Sequence, residues 1–433
     1  MVWTTRWAPT RQELDACVEC GLCLPHCPTF RLTGDETASP RGRLNAMAAV
    51  ASGELPIDAA FDEVMSFCLQ CRACEAACPS LVPFGRAMEG ARAELAAARP
   101  RGRRFRRRAL GSWLGRRWMV GLATFFAALG QRLGAGRWAP KRFRRGFAGV
   151  RRLPFRRRRL IGRTFGEGDG RPTIGLLAGC VMEPWFPAVH EATIGLLTYA
   201  GYRVAVPEEQ TCCGALAAHD GAADEAAVLA AINTAAFTGF DRVVSNSAGC
   251  SAHLASYGHW APEGEAIEEK AADALQIVSA AIADGRLPTL PPGRGVVGVQ
   301  DPCHHRHALR MTAEPRRILE AAGYGVRDID PSGMCCGAAG VYSLLRPDTA
   351  DELGRRKADQ VTATRVDLVA SANPGCEIQL RSHLPESVRV AHPLELYWEA
   401  VGESRNQQAS SPASLPPFLT GGEPPEGRRE GGG

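Results

Sequence analysis

The sequence predicts a multidomain protein, with a small all-α domain at the N-terminus followed by a duplicated pair of α/β units. Three observations support this fold class. Two cysteine runs lie among short helical segments, strand-like and helical runs alternate after residue 171, and a second cysteine pattern recurs in the later part of the chain. Such alternation is typical of parallel sheets covered by helices. A chain of 433 residues has room for about three domains.

The first observation is a cysteine pattern that occurs twice near the N-terminus. Its copies are Cys17-x-x-Cys20-x-x-Cys23-x-x-x-Cys27-Pro28 and Cys68-x-x-Cys71-x-x-Cys74-x-x-x-Cys78-Pro79. This is the ferredoxin spacing, in which three thiolates hold one [4Fe–4S] cluster and the fourth ligates the other. Zinc sites more often use two spaced CxxC pairs. The predicted ligands are Cys17, Cys20, Cys23 and Cys78 for cluster one, and Cys68, Cys71, Cys74 and Cys27 for cluster two.

The segments around these runs carry helix start signals. Thr10 can cap a helix over RQELDA, and Ser39-Pro40 can begin a helix that continues through Ala51. Further helices are predicted from Asp62 to Phe67 and over the alanine-rich stretch Gly85–Ala98. We therefore expect residues 1–99 to form an α-helical, ferredoxin-type domain that holds two [4Fe–4S] clusters on its loops.

Residues 100–170 are predicted to form a basic linker, which we call the strap. The stretch from 101 to 163 carries 21 of the 51 Lys and Arg residues and no Asp or Glu, so the rest of the chain is acidic. Its apolar patch, WMVGLATFFAAL, predicts an amphipathic helix. This helix could pack on the protein, lie on anionic lipid or face nucleic acid. No recognised nucleic-acid module accompanies it, so no nucleic-acid partner is expected.

After residue 171, two α/β units are predicted on either side of a Gly/Pro-rich linker at 285–295. Strands are predicted at Thr173–Ala178, Arg203–Val206, Arg242–Ser245, Val296–Gln300, Gly325–Ile329, Leu368–Ser371 and Val388–Ala391. Helices are predicted at Ala188–Ala200, Asp224–Phe237, Glu265–Ala283, Ala313–Ala322 and Thr349–Thr364. The units span 171–290 and 294–401, and the Gly/Pro/Ser-rich residues 402–433 are predicted to be a disordered tail.

The remaining eight cysteines repeat with the two units. In each, a single cysteine is followed 32 positions later by a Cys-Cys-Gly (CCG) doublet and then by one more cysteine. The outer cysteines follow predicted strands, where sites form in open α/β sheets. Free thiols or a vicinal disulfide are the simpler alternatives, but four thiols in both copies favour a metal site. The predicted residues are Cys180, Cys212, Cys213 and Cys250 in CCG site 1, and Cys303, Cys335, Cys336 and Cys376 in CCG site 2.

No catalytic motif is found. The chain has no GxGxxG at a strand–helix turn, no P-loop and no GxSxG, so it offers no evident flavin or nicotinamide site and no predicted catalytic residue. The N-terminus lacks a signal peptide's apolar core, and no apolar stretch reaches the roughly 18 residues that span a membrane. Sixteen cysteines then indicate metal binding in a reducing cytoplasm. Peripheral contact with the inner face of the membrane through the strap is a further expectation.

The two sets of cysteines together carry a family resemblance. The segments TCCGALAAH and MCCGAAGVYSLLRP resemble the CCG domain of the heterodisulfide reductases. Together with CVECGLCLPHCPTFRLTGDETASPRGR, CLQCRACEAACPSLVPFG and SANPGCEIQL, they make residues 10 to 400, apart from the strap, similar to the glycolate oxidase iron–sulfur subunits. The iron–sulfur subunit of anaerobic glycerol-3-phosphate dehydrogenase has the same parts, but the GDE…SPRGR segment favours the glycolate family.

The resemblance implies an electron-transfer subunit of a flavin-dependent dehydrogenase complex. In such a complex an FAD-containing subunit oxidises a 2-hydroxy acid, glycolate or D-lactate, to the 2-oxo acid. This chain would pass the electrons through its clusters to quinone or another acceptor. A thiol/disulfide reductase that works at a CCG cluster, and a metal-bound scaffold, are the alternative functions.

The resemblance to the heterodisulfide reductases has one departure. There a fifth thiol from a CxxC pair helps to hold a noncubane cluster, whereas the matching positions here are His253 and Gln379. A four-thiol iron–sulfur cluster or a structural metal is then implied for the CCG units, and His253 could replace the missing thiol in the first. Arg41 and Arg43 are expected near the ferredoxin-type clusters, where positive charge raises the reduction potential. The histidines after Cys303 are interpreted as polar loop residues rather than proton carriers.

Overall fold

The structure is a computed structural model that describes residues 3–99, 117–134, 148–155, 159–168 and 170–410. Residues 3–99 form short helices joined by cysteine-bearing loops, with no strand among them. The helices are α1 (Arg11–Asp15), α2 (Pro28–Thr33), α3 (Pro40–Ser52), α4 (Ala59–Ser66), α5 (Ala73–Ala76) and α6 (Phe84–Ala98), with 3-10 turns at Leu24–His26 and Glu36–Ala38. Buried methionines, Met47, Met65 and Met88, fill the space between them.

The predicted caps form in this domain. The Thr10 hydroxyl accepts a hydrogen bond from the Glu13 backbone N–H while the Glu13 carboxylate accepts one from the Thr10 backbone, which is a capping box. The Ser39 hydroxyl accepts from the Gly42 N–H at the start of α3. Helix α4 begins before the predicted Asp62, because Asp58 caps it by accepting from the Phe61 N–H. Local sequence therefore determines where these helices begin.

The described helix of the strap is α7 (Arg117–Arg132), and it packs on the protein along one side. Val120, Thr124 and Ala128 are buried, and the Trp185 indole N–H donates to the Thr124 hydroxyl over 3.1 Å. The strap's arginine runs lie outside the described residues, apart from Arg159. None of the described helices is long and apolar enough to cross a membrane.

Each α/β unit contains a sheet whose strands are mainly parallel. The first sheet has the order β1-β3-β2-β4-β5 and the second the order β7-β6-β8-β9. The strands are β1 (Arg163–Phe165), β2 (Thr173–Leu176), β3 (Arg203–Val206), β4 (Arg242–Ser245), β5 (Ala271–Asp273), β6 (Val296–Gln300), β7 (Gly325–Asp328), β8 (Leu368–Ser371) and β9 (Arg389–Ala391). Strand β1, which the sequence does not predict, pairs antiparallel with β3, and the other pairs are parallel.

Helices cover both sheets. In the first unit they are α8 (Met182–Trp185), α9 (Pro187–Tyr199), α10 (Ala215–His219), α11 (Ala223–Ala236), α12 (Ala248–Leu254), α13 (Tyr257–Trp260), α14 (Glu265–Glu268) and α15 (Ala274–Ala283). In the second they are a π-helical turn (His304–Ala308), α16 (Ala313–Ala321), α17 (Tyr342–Leu345), α18 (Pro347–Thr364), α19 (Pro374–His383) and α20 (Pro393–Ser410). The predicted tail at 402 therefore starts within α20, and residues 411–433 lie outside the described part.

The prediction of one helix over Glu265–Ala283 is wrong. The segment instead forms α14, β5 and α15. Ala271 pairs with Val243 of β4, and Asp273 ends the strand by capping α15, where its carboxylate accepts from the Leu275 N–H over 2.9 Å. Alanine favours helix locally, but pairing with β4 overrides that preference.

The two α/β units share one hydrophobic core. Helix α9 of the first packs against α20 of the second, and α15 packs against α16. One buried cluster therefore joins Leu196 and Val278 of the first unit to Ile318 and Tyr397 of the second. Two helices of each unit lie at this boundary. One of them, α9 or α16, comes between strand β2 or β6 and the next strand of the unit, and the other, α15 or α20, is the last helix of the unit.

Arg151 ties the strap to the second unit. Its guanidinium donates to the Glu395 carboxylate over 2.6 Å and to the Glu377 carboxylate over 2.8 Å. Both carboxylates are almost fully buried. Burial raises the pKa of Glu377, and Arg151 opposes that rise, while for Glu395 burial is outweighed by Arg151, which lowers its pKa. The strap is thus fixed next to Cys376, the neighbour of Glu377 in the chain.

Candidate metal and electron-transfer sites

The first predicted quartet lines one cavity of the N-terminal domain. Cys17, Cys20 and Cys23 lie there with Cys78 of the second run, around a small cavity of about 30 Å³. The other wall is mainly apolar and includes Leu44, Val82 and Phe84. Burial, and then the charge of Cys17, raise the pKa of Cys23 to about 11. Cys20 is exposed, so this cavity reaches the protein surface.

The second quartet is buried. Cys27, Cys68, Cys71 and Cys74 are each less than 9% exposed. Burial raises the pKa of Cys74 well above its ordinary value, and the charges of Cys71, Cys68 and Cys27 raise it further. Cys78 therefore lies with the first three cysteines of the first run, where Cys74 also lines the cavity, and Cys27 lies near cysteines of both runs. Iron would have to displace these protons from the thiols when it binds.

Both runs follow the same backbone path. The residues on either side of the middle cysteine have positive φ in each run: Glu19 (55°) and Gly21 (79°), and Gln70 (52°) and Arg72 (61°). Left-handed residues other than glycine are uncommon and are often kept for function. The Gln70 N–H donates to the Cys68 sulfur over 3.3 Å. Soft thiolates in apolar cavities, with N–H donors to sulfur, fit iron–sulfur clusters.

Arg43 and Arg41 lie beside the quartets, as predicted. Arg43 is buried, and its Nη1 donates to the Cys27 sulfur over 3.9 Å while its Nε donates to the Val64 carbonyl oxygen over 3.0 Å. Arg41 lines the first cavity and donates to the Glu19 carbonyl oxygen over 3.0 Å. Both place positive charge where it favours a reduced cluster.

The four thiols of CCG site 1 form a chain of neighbours. The sulfurs of Cys180 and Cys212 are 3.4 Å apart, and Cys213 interacts in turn with Cys250. Hydrogen bonding with Cys180 lowers the pKa of Cys212, and the same contact raises the pKa of Cys180. Cys250 lies in the first turn of α12, five residues beyond the end of β4. All four predicted residues are therefore brought together.

CCG site 2 has the same order of contacts. Cys335 hydrogen-bonds Cys303 and Cys336, and Cys336 hydrogen-bonds Cys376. The Asn373 side-chain amide donates to the Cys376 sulfur over 3.5 Å. Across the described ranges, no three His, Cys, Asp or Glu side chains are grouped around a site for a single metal ion.

The glycine of each doublet is needed for the turn. Gly214 has φ +97° and Gly337 has φ +88°, a region that side chains rarely adopt. A Cβ on Gly337 would lie 2.7 Å from the Ala350 carbonyl oxygen in α18, and one on Gly214 would lie 3.3 Å from the Ala226 carbonyl oxygen in α11. The glycine of the doublet therefore packs directly on the second helix after it, α11 or α18, in both units.

The two CCG sites differ beside the doublets. The His253 Nε2 is buried without a hydrogen-bond partner and lies 3.1 Å from the position of a Cβ on Gly214. Burial lowers the pKa of His253 to about 4, so the imidazole is neutral at neutral pH. Gln379, its counterpart, instead donates to the Ala350 carbonyl oxygen over 2.8 Å. Of His253 and Gln379, only His253 therefore places an unpartnered nitrogen against the doublet of its site.

A second difference, which sequence analysis missed, lies on the helices behind the doublets. Asn233 of α11 donates to the Cys212 carbonyl oxygen over 2.9 Å. At the matching place in α18, Lys357 is buried and paired with Asp330. Hydrogen bonding with Cys335 lowers the pKa of Cys336, and the charge of Lys357 lowers it further. The second site therefore has a buried cation where the first has Asn233.

The second quartet lies against CCG site 2. Leu69 and Cys71 belong to one buried cluster with Cys335 and Tyr342, and Cys303 packs at its edge. Burial raises the pKa of Cys71, and the charge of Cys303 is the next largest cause. Thiols of the N-terminal domain and of the second unit are therefore close neighbours.

A cleft of about 740 Å³ opens where the N-terminal domain meets both units. The rings of His219 and His304 stack across it with centroids 5.5 Å apart, and the His219 Nδ1 lies 3.0 Å from the Glu89 carboxylate. Gln70 also lines it, with both amide atoms buried and unpartnered. No sequence pattern indicates this cleft, since its residues come from distant segments.

Two protein families match the regions described above. Residues 13–82 match the family described as 4Fe-4S dicluster domain, and residues 174–255 and 297–381 match the family described as Cysteine-rich domain. The matches cover both ferredoxin runs and all eight cysteines of the repeated sets. With sixteen cysteines in the chain, they establish it as a [4Fe–4S] protein.

Several curated proteins are similar to this chain. The probable glycolate oxidase iron–sulfur subunit of Bacillus subtilis is 32% identical over 420 residues, which cover 90% of this chain and 94% of the relative. The glycolate oxidase iron–sulfur subunit of Escherichia coli is 28% identical over the same shares of the two chains. Lactate utilization protein A of an Exiguobacterium species is 25% identical, over 54% of this chain and all of the relative.

Proposed function

The chain belongs to the family of glycolate oxidase iron–sulfur subunits, and we propose on this basis that it transfers electrons within a complex that oxidises a 2-hydroxy acid. One observation carries the proposal: a continuous series of thiols from the exposed Cys20, through the buried second quartet, to Cys303. When bound, iron–sulfur clusters supply one-electron carriers. The thiols and Arg43 would hold and tune them.

The proposed ligands are the predicted quartets. Cluster one would use Cys17, Cys20, Cys23 and Cys78, and cluster two would use Cys68, Cys71, Cys74 and Cys27. A further cluster or metal would use the four thiols of each CCG site. The first quartet shares one cavity, and the charge of Cys27 acts on Cys71 and Cys74, which supports the crossed arrangement. Replacing Cys78 with serine should remove about four iron atoms per chain and leave the other cluster's spectrum intact.

In this proposal the isolated chain is an electron carrier, and an FAD-containing subunit performs the oxidation. The substrate would be glycolate, with D-lactate as the second choice, and the acceptor a quinone or another carrier. The names of the relatives refer to glycolate and to lactate, without specifying the enantiomer, and they support this choice of acids. The test is to co-purify the chain with its flavoprotein and follow cluster reduction by glycolate, D-lactate and glycerol 3-phosphate. Reduction by glycerol 3-phosphate alone would contradict the proposal.

We further propose a cytoplasmic protein that touches the inner face of the membrane through the strap. Leu122, Phe125 and Phe126 on the outer side of α7 are 51%, 47% and 59% exposed. The surrounding sequence is basic, and each Lys or Arg near an anionic surface contributes about 1 kcal/mol. The protein should therefore sediment with anionic vesicles and not with neutral ones. Replacing Phe125 and Phe126 with serine should abolish sedimentation.

We also propose that the α/β units, 171–290 and 294–401, arose by duplication. The orders β3-β2-β4-β5 and β7-β6-β8-β9 correspond strand for strand, and both doublets precede a helix whose backbone they touch. Residues 1–99 then form the ferredoxin-type domain and residues 100–170 the strap, whose end adds β1 to the sheet of the first unit. The differences at His253 and Lys357 would have arisen after that duplication.

A further inference from the structure

We propose that the exposed apolar patch around Cys20, formed by Val18, Leu22 and Leu81, is the docking surface for the flavin-carrying subunit. Electrons would then enter the chain at the first quartet. The inference rests on the proposed function. The three side chains are 68%, 56% and 72% exposed. Val18 and Leu22 line the first cavity together with Ser80 and Val82, the two chain neighbours of Leu81. Grouped apolar side chains on a surface mark interaction sites.

In the second cysteine run, the equivalent loop is covered by residues of the second α/β unit. Leu69 and Ala73 occupy the positions in the second run that Val18 and Leu22 occupy in the first. Both are only 6% exposed, because they pack with Tyr342 in the second α/β unit. The same backbone path therefore makes an interface within the chain in one copy. In the other copy, the equivalent positions have no covering residues among those described.

The two runs also lie at different points along the proposed electron path, one inside the protein and the other at its surface. Cys71 of the second run packs in a buried cluster with Cys303 at its edge, whereas Cys20 of the first run is exposed. A donor that covered Val18 and Leu22 would sit directly over Cys20. The electrons would then pass from the first quartet to the second, and from there to CCG site 2.

The backbone and the charges around the patch favour a protein occupant. Leu81 has φ +52°, a costly conformation for leucine, at a position where it is mostly exposed. Burial beneath a partner would offset that cost. Glu19 and Asp15 border the patch together with Arg11 and Arg41, so its rim carries both signs of charge. A polar rim of mixed charge suits a protein surface, whereas an anionic lipid surface favours a cluster of basic residues. The strap, by contrast, is basic, and the two surfaces therefore serve different partners.

The test uses the full chain carrying its clusters, prepared anaerobically with the flavoprotein that co-purifies with it. The variant combines Val18→Ser with Leu22→Ser, which removes the apolar surface without adding charge beside the first quartet. The matched control combines Val228→Ser with Ile232→Ser on α11, where the side chains are 54% and 42% exposed. Iron content and the visible spectrum first establish that each variant holds its clusters. Association with the flavoprotein is then measured, together with cluster reduction by substrate and by dithionite.

We expect the patch variant to bind the flavoprotein at least about tenfold more weakly and to be reduced correspondingly more slowly by substrate. Dithionite should reduce it at the wild-type rate, and the control should behave as the wild type. Association and substrate reduction at wild-type levels in the patch variant, or an equal loss in the control, would overturn the proposal. If the variant loses association while no hydroxy acid reduces the wild-type complex, the docking surface stands and the proposed function falls.

Discussion

Arg43 donates from Nη1 to the sulfur of Cys27 over 3.9 Å, and so holds a buried cation against a thiol of the second quartet. Thr29 strengthens the arrangement, because its hydroxyl lies 3.2 Å from the same sulfur and 3.1 Å from the Arg43 Nη2. A cluster held there would have one side fixed by a charged hydrogen-bond donor. This position connects the fold of α3 to the redox properties of the site.

Replacing Arg43 with methionine should lower the reduction potential of cluster two. The lost interaction is worth roughly 1 kcal/mol, which is about 50 mV for a one-electron couple. Redox titration followed by electron paramagnetic resonance would measure the shift. Arg43→Lys, which keeps the charge, should recover most of the potential, and Arg31→Met, at an exposed position, should leave it unchanged. Equal shifts in the two methionine variants would contradict a local effect.

Replacing Arg151 with methionine should destabilise the protein by about 3–5 kcal/mol, because Glu377 and Glu395 would be buried without a counter-ion. Denaturant unfolding at neutral pH, followed by tryptophan fluorescence, would measure the loss. Arg159→Met is the control, since Arg159 and Glu208 form a pair that is 68% and 64% exposed. Removing that pair should cost less than about 1 kcal/mol. Similar losses in both variants would show that Arg151 does not anchor the strap.

Replacing Gly337 with alanine should disrupt CCG site 2. The new Cβ would meet the Ala350 carbonyl oxygen, and alanine at φ +88° is itself strained by about 1–2 kcal/mol. The doublet should therefore shift, with loss of metal from that site and lower stability. Gly402→Ala in α20, where a Cβ has open space, should instead be neutral or stabilise by up to about 1 kcal/mol. Metal analysis and unfolding of both variants would measure this contrast.

The stability of the protein should fall as the pH drops below about 6.5, in part through His190. Burial lowers its pKa from 6.5 to about 4, and its Nε2 donates to the Ala178 carbonyl oxygen while Nδ1 accepts from Asn246. Below pH 6.5 the His190 imidazole is protonated in the unfolded chain, whereas in the folded protein it stays neutral until about pH 4. The contribution is thus present above pH 6.5 and lost towards pH 4, by up to about 3 kcal/mol.

A comparison of thermal unfolding at about pH 7.5 and about pH 5.5 would measure this dependence. In His190→Gln the difference between the two midpoints should shrink, because glutamine does not titrate. His26→Gln should keep the wild-type difference, since His26 is exposed. A His190 variant that retained the full pH dependence would show that other groups cause it.

Sequence patterns determine most of the secondary structure but miss two of the three shortest strands. Apolar runs bounded by turns are distinctive, so they predict the strands around β2, β4, β6 and β8 within two residues. The three-residue β9 is also predicted, because Val388 and Val390 alternate with Arg389, whereas the equally short β1 and β5 carry too little pattern to detect. The alanines of β5 favour a helix locally, and only pairing with β4 decides otherwise.

The cysteine quartets are similarly visible in the sequence, because ferredoxin spacing and an internal repeat leave few alternatives. The residues that surround the quartets cannot be recognised in the sequence in this way. The contact between the Cys71 region and CCG site 2 depends on how Leu69 packs on Tyr342, and these residues are far apart in the chain. The pairing of Lys357 with Asp330 is likewise a tertiary contact, which no local pattern encodes.

The core shared by α9 and α20 has a consequence for biosynthesis. Because Leu196 is buried with Tyr397, the first α/β unit cannot complete its packing on the ribosome until the last described helix has been made. A product truncated before residue 393 would therefore leave α9 without the helix that covers it. The thiols of CCG site 1 pack in a separate cluster built from the N-terminal domain and the first unit, so that cluster can form before α20 has been made.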